Sequence, residues 1–481
     1  MDTSISARLA ARDLAVVWHP CTQMHDHETL PMLPIARAEG AWLHGHDGKR
    51  YLDAVSSWWT CLLGHRHPHI VAALKDQLDR LDHVMLAGFT HTPAIELAEE
   101  LVRIAPRRAS SSFAQRGNRP EAQEGATAAS EAAVLKRVFY ADNGSSAVEV
   151  ALKLSFHYWK NVQSGNSSGA RTRFIALTGG YHGETLGALS VTDVPLYRST
   201  YAALLLEPIF APSPDAYEGE PGENAADCAR RRLGELRTIL ERHAHETCAI
   251  IVEPLVQCAG GMRMHDASYL TGLRALCDEF DVHLIADEIA VGFGRTGSLF
   301  ACEQAGIAPD FLCLSKGLTG GTLPLSAVLT TAEVYDAFYA DYAAGKAFLH
   351  SHSYTGNPLA CRAALATLQV LRDEPVLERN RALAAHLAAR LAPLADHPHI
   401  ADVRQTGMIA ALELVRDRRT REPFAASERR GLRVYRHGLE RGVVLRPLGN
   451  VVYFMPPYCI TPDEIDVMVE AAREGIERAV S

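Results

Sequence analysis

Two short apolar runs near the middle of the chain each end in an ionisable residue. Residues 283–286 (HLIA) lead into Asp287 and Glu288, and residues 311–314 (FLCL) lead, one serine later, into Lys316 and a turn with glycines at 317, 320 and 321. A continuous apolar run bounded by loop signals reads as a strand covered on both faces, as in a parallel sheet. Ligands of open α/β sheets gather outside the carboxyl ends of such strands. A carboxylate and a lysine emerging there suit a cofactor with a cationic ring nitrogen and an aldehyde, which is the chemistry of pyridoxal phosphate. A lysine flanked by Leu314 and a glycine turn can lose water and gain nucleophilic character. Taken singly, each residue also has an ordinary reading, as a strand-end cap and a surface lysine.

Two further stretches lie at strand ends of the same region. ADNGSSAVEVALKLSFHYW (141–159) follows a strand and opens a helix, with Ala147, Ala151, Leu154 and Tyr158 on one face and Glu149 spaced to pair with Lys153. The amides of Gly144, Ser145 and Ser146 at that helix start, with the Ser145 hydroxyl, suit a phosphate. A plain helix cap accounts for the same run. LTGGYHGETLGALS brings Tyr181 and His182 into a glycine-rich loop, where an aromatic ring can stack on a flat cofactor; a solvated loop reads the same way. The coincidence of phosphate cradle, stacking ring, carboxylate and lysine, in one order and at strand ends, is what gives the single residues weight.

The elements that must carry these groups alternate. Between residues 134 and 329 the chain reads as strand and helix in turn: RVFYA, a long helix, RFIAL, a loop, CAIIVEPLV, a helix near 270–280, HLIADEI, FLCLSKG and PLSAVLT. That alternation predicts an α/β fold, a large domain with a mostly parallel sheet flanked by helices. A smaller α+β domain is expected from both termini. The expected division is 1–66 for the N-terminal segment of the small domain, 67–349 for the large cofactor-binding domain, and 350–481 for the rest of the small domain. Asp47-Gly48 marks a hairpin in the first segment, helices are expected after Pro68 and from Pro93, and a long helix runs from Asn357. Residues 107–132, rich in Ser, Ala, Gln and Gly, read as a flexible insertion, because so little apolar surface cannot offset ordering entropy. Loops are expected at 178–192 and, Pro-rich and exposed, at 211–224.

Composition narrows the partners. The 481 residues carry a formal charge of -9, which offers nucleic acid no basic footprint. No apolar run is long enough to span a bilayer, and Arg8, Arg12 and Asp13 interrupt any secretory signal. The 10 cysteines are scattered without a CxxC pair and read as reduced thiols of a cytoplasmic enzyme. Among the 22 histidines, His65, His67 and His69 lack the accompanying ligands of a zinc motif, so no metal is expected.

The strings SSWWTCLLGHRHP, DNGSSAVEVALK, GGYHGET, IIVEPLVQCAGGMRM, LIADEIAVGFGRTG, LCLSKGLTGGTLPLSA, TGNPLA and RPLGNVVYFMPPY resemble the class III, fold type I aminotransferases over nearly the whole chain. That resemblance implies that Lys316 bonds the aldehyde of pyridoxal phosphate, Asp287 pairs with the ring nitrogen and Tyr181 stacks on the ring. It further implies that Gly144, Ser145 and a hydroxyl of the neighbouring subunit of a homodimer, at Ser353, hold the phosphate. Trp58, Trp59, Arg446 and Tyr453 would line the substrate pocket, with Arg446 meeting a carboxylate. A bidentate guanidinium suits a carboxylate, and two indoles suit a long apolar chain or an adenosyl group. The implied reaction is transamination of a long-chain oxo acid, with S-adenosylmethionine as the preferred donor. Cys21 and Glu184 stand where the family commonly has tyrosine and aspartate beside the substrate amine, which makes lysine the alternative donor.

Overall fold

The computed structural model describes residues 5–30, 32–108, 134–163 and 171–481. Apart from Arg107 and Arg108, the insertion expected at 107–132 lies outside the described residues. The chain forms two compact units, Ala72–Leu377 and a second made of Met1–Val71 with Glu378–Ser481.

In the terminal unit the helix Ile5–Val16 precedes strands β1 (Ile35–Glu39), β2 (Trp42–Gly45) and β3 (Arg50–Asp53), paired antiparallel in sequence. The β2–β3 turn is the expected one, and Gly48 takes the positive φ of +80° that such a turn demands. The large unit contributes β4 (Leu135–Ala141), β5 (Arg173–Leu177), β6 (Ile209–Ala211), β7 (Thr247–Val252), a small hairpin β8 (Val256–Gln257) and β9 (Arg263–Met264), then β10 (His283–Asp287), β11 (Phe311–Leu314) and β12 (Ser326–Thr331). After the second boundary come β13 (Ile400–Thr406), β14 (Ile409–Asp417), β15 (Glu422–Pro423), β16 (Val443–Val444) and β17 (Val451–Phe454). In the terminal unit β16 adds to β3 in parallel, and β13, β14, β15 and β17 make a separate antiparallel sheet.

The large unit is built on a seven-stranded sheet in the order β4-β12-β11-β10-β7-β5-β6. Every residue of β7, β10 and β11 is buried, which is why these strands read as unbroken apolar runs. Only β12 runs against its neighbours, pairing antiparallel with both β11 and β4. The helix Gly144–Val162 packs against this sheet through Ala147, Val148, Ala151 and Leu154, so its amino end is held at the sheet's carboxyl edge.

Several expectations shift. The helix Pro358–Asp373 packs on the helix Thr92–Ile104 and on the turn after Lys316, so the second boundary falls at 377/378, not at 349/350. Residues 178–192, read as loop, contain a short helix Leu186–Ser190. Glu149 does not turn toward Lys153: its carboxylate accepts the Gly187 and Ala188 amides at 2.7 and 3.2 Å, while Lys153 lies 2.8 Å from His350 Nδ1. The first half of 211–224 is not exposed, because Ser213 donates to Gln257 (2.6 Å) and buried Asp215 accepts the Tyr217 amide (3.1 Å).

Candidate active site

Asp287 ends β10 and lies beside Cys313 of β11 in register. It is buried. One carboxylate oxygen is 2.8 Å from His182 Nδ1, and the other accepts the Ile289 amide at 3.1 Å. The His182 amide donates to Thr192 Oγ1 at 2.9 Å, which fixes the loop that presents the imidazole. Lys316 stands two residues past β11 with φ at +45°, a left-handed conformation that costs on the order of 1–3 kcal/mol and needs its surroundings to hold it. Ser315 Oγ donates to Leu325 O (2.7 Å) and Thr319 Oγ1 to Leu323 O (2.6 Å), tying the lysine loop to the start of β12. Burial lowers the Lys316 amine from its ordinary value, with Asp287 and Glu253 among the groups pulling the other way. Glu253, one residue past β7, accepts the Tyr181 and Cys258 amides, both at 2.9 Å. Burial pushes that carboxyl up to about 7.

Opposite, Asn143 caps the helix Gly144–Val162 by accepting the Ser146 amide at 3.0 Å. Ser145 Oγ accepts the amides of Glu184 (3.1 Å) and Thr185 (3.0 Å), so this helix start and the Tyr181 loop are one assembly. A Cβ at Gly144 would sit 2.8 Å from Ile289, and one at Gly183, where φ is +127°, would sit 2.3 Å from Ser145 Oγ. Both glycines keep backbone close to the helix start, as an anion cradle requires. The Tyr181 hydroxyl donates to Glu184 at 2.9 Å, and its ring lies 5.2 Å from that of Tyr197. Ser353 is exposed, in a turn beside His352, whose Nδ1 is 2.8 Å from Asp142. An acid at one strand end, a desolvated lysine at the next and a glycine-lined helix start fit pyridoxal phosphate.

The terminal unit brings together the other four residues. Trp59 and Tyr453 are buried, with the indole N–H donating to the Tyr453 hydroxyl at 3.1 Å and the rings 6.1 Å apart. Trp58 and Arg446 are exposed, the guanidinium carbon 4.7 Å from the Trp58 ring centroid. Trp58 and Trp59 belong to a turn, Ser56–Trp59, whose four residues all have positive φ, from +45° to +72°. Left-handed backbone costs roughly 1–2 kcal/mol for each residue bearing a Cβ.

His182 and Glu253 were not among the residues picked from the sequence as cofactor ligands. Glu253 could have been found, since CAIIVEP repeats the pattern of apolar strand followed by acid that exposed Asp287. His182 carries no such signal; only the folded loop aims it at Asp287.

The sequence pattern of the family described as "Aminotransferase class-III" matches residues 23–476, and the chain belongs to the class III aminotransferases. These enzymes depend on pyridoxal phosphate, and their fold is the one seen here. Within that family, the chain is 46% identical over 473 residues to the adenosylmethionine-8-amino-7-oxononanoate aminotransferase of Nitratidesulfovibrio vulgaris, a match covering 98% of this chain and 82% of the relative. A crystal structure of the enzyme of the same name from Methanocaldococcus jannaschii superimposes with a TM-score of 0.86 at 37% identity, covering 98% and 99% of the two chains. An ω-transaminase from Pseudomonas jessenii in complex with PMP gives 0.87 at 28% identity, covering 98% of each.

Proposed function

We propose that this chain transfers an amino group to 8-amino-7-oxononanoate, giving 7,8-diaminononanoate for biotin biosynthesis, with S-adenosylmethionine as donor. The observation that carries the reading is the cluster of Arg446, Trp58, Trp59 and Tyr453: a guanidinium laid over an indole, beside a second indole, offers a carboxylate clamp and an apolar wall to a long-chain acid. Bound pyridoxal phosphate supplies an electron sink for the charge left on a substrate carbon. Asp287 would hold its ring nitrogen protonated, the amides of Gly144 and Ser145 its phosphate, and Tyr181 one face of its ring. Lys316 would take a proton from the substrate carbon that bears the amine and return it on the other side of that nitrogen, two atoms away, a 1,3-transfer suited to an amine lowered by burial.

Single-turnover mixing of the cofactor-loaded protein with S-adenosylmethionine, then with 8-amino-7-oxononanoate, tests this by loss and recovery of the visible absorbance. Lysine is the second donor to try, because Glu184, bonded to the Tyr181 hydroxyl, is a methylene longer than the usual aspartate. Absorbance that responds to neither donor but to a diamine or ω-amino acid would transfer the chain to the ω-aminotransferases.

We further propose a cytoplasmic homodimer in which Ser353 of each subunit completes its neighbour's phosphate site. All 10 cysteines are thiols rather than disulfides, among the described residues no helix is long and apolar enough to cross a membrane, and Leu196, Leu204, Leu206, Tyr339 and Leu349 are exposed apolar residues.

A further inference from the structure

The Ser56–Trp59 turn is a left-handed helical turn in its bonds as well as its angles: the Trp59 amide donates to Val55 O at 2.8 Å and the Thr60 amide to Ser56 O at 3.0 Å. None of its four residues is glycine. In each, the Cβ crowds the next carbonyl, so the turn persists only where other groups over-determine it.

The group that does so is Asp53, at the end of β3 and 1% exposed. Its Oδ1 accepts the amides of Val55 (3.3 Å) and Ser57 (3.0 Å), and its Oδ2 accepts the Ser57 hydroxyl (2.7 Å) and lies 3.0 Å from His65 Nε2. One carboxylate thus gathers donors from both sides of Ser56, where the backbone first turns left-handed. Two lesser ties complete the frame: Ser56 Oγ donates to Met455 O (2.7 Å), and the Trp59 indole donates to Tyr453. Burial raises the Asp53 carboxyl, but the hydrogen bonds from His65 and Ser57 outweigh it and leave the group below the ordinary aspartate value, hence ionised and a strong acceptor. His65, which as sequence suggested at most a metal ligand, is here the far support of this acid.

We propose that Asp53 is a positioning residue for substrate selection: with Ser57 and His65 it locks the Trp58-Trp59 turn in its left-handed form, so that recognition of the apolar acceptor depends on a buried acid that does not touch it. This rests on the reading of Trp58 and Trp59 as pocket residues. A residue that merely supports the fold would lower every property of the enzyme together. One that positions the indoles would act on acceptor KM, and its loss would be relieved by relaxing the backbone constraint at Ser57.

The test uses cofactor-loaded protein labelled with 5-fluorotryptophan, the Trp58 and Trp59 fluorine resonances being assigned with Trp58→Phe and Trp59→Phe. In Asp53→Ala both resonances are expected to shift and broaden, and KM for 8-amino-7-oxononanoate to rise tenfold or more while kcat at saturation stays within about threefold. Adding Ser57→Gly to Asp53→Ala should restore at least half of the KM change, since glycine adopts positive φ without strain. Asp53→Asn, which keeps one acceptor oxygen, should fall between and serves if Asp53→Ala does not fold. Unmoved fluorine resonances, or KM, kcat and cofactor loading that decline together without recovery on Ser57→Gly, overturn the proposal. If the unsubstituted protein does not use 8-amino-7-oxononanoate, the proposed function is what fails, and the fluorine spectra alone decide the role of Asp53.

Discussion

Asp287 Oδ2 and His182 Nδ1 face one another at 2.8 Å in the interior, so each satisfies the other's buried polar atom at the sheet edge. Replacing His182 with phenylalanine should strip Asp287 of that partner. A buried polar group left unmatched costs about 1–3 kcal/mol, which corresponds to roughly a 5- to 150-fold weakening of cofactor binding, measurable by equilibrium titration of the visible absorbance. Lys316→Ala is expected to abolish turnover and to leave no absorbance that borohydride can reduce; a variant that retained both would remove the lysine from the chemistry. Asp287 and Lys316 were legible in the sequence because an apolar strand followed by an ionisable residue is a rare juxtaposition, and two more motifs fell at comparable places. His182 was not, since nothing in GGYHGET says that its imidazole turns back toward a strand end 105 residues later.

Strands β5, β10 and β11 were readable nearly residue for residue, because burial leaves an unbroken apolar run, whereas CAIIVEPLV overran the end of β7 at Val252 and the three-residue β6 (Ile209–Ala211) was not read as a strand. Direction is a different matter. PLSAVLT looks like any other buried strand, and the reversal of β12 is set by the short lysine loop before it, which leaves too little chain for a crossover. Short elements were hidden for a related reason: Leu186–Ser190 is too brief to show a period, and Glu149, 38 residues away, supplies its cap. Glu149→Ala should therefore destabilise the folded protein by about 1–3 kcal/mol in urea unfolding, with Glu149→Gln recovering part. The left-handed Ser56–Trp59 turn has no sequence mark at all, as SSWW contains no glycine. The loop after β10 carries a pH effect. Glu288, fully buried and accepting the Ala301 and Cys302 amides at 2.7 and 2.8 Å, is pushed by burial from 4.5 up to about 7. Between those values the folded chain holds a proton that the unfolded chain has released, so stability falls as pH rises through this window, by about 3 kcal/mol. Glu288→Gln should flatten the decline of the urea midpoint between pH 5 and 7.5, whereas an unchanged slope would place its origin elsewhere.

For the whole molecule, the exposed apolar residues of the large unit and the position of Ser353 lead to an expectation about assembly. Sedimentation should give a particle of about twice 52.5 kDa. Mixing Lys316→Ala with Ser353→Ala subunits should yield more activity than either alone, because one of the two mixed sites would contain both intact residues; no gain on mixing would mean that each site is built within one chain. The sheet order also constrains the protein during its synthesis. Strand β4, which leads directly into the helix start at Gly144, finds its partner only in β12, with Ala141 paired to Ser326, and in the terminal unit β3 waits for β16 at Val443. Neither unit can therefore close while its carboxyl half is still being made, and sheets joined over such distances along the chain assemble slowly. Ribosome-bound chains halted before Ser326 should fail to retain the cofactor however much of it is present, and loading should begin only once the returning strand has left the exit tunnel. For a nascent chain, the order in which strands emerge, more than cofactor supply, would decide when a new enzyme molecule becomes active.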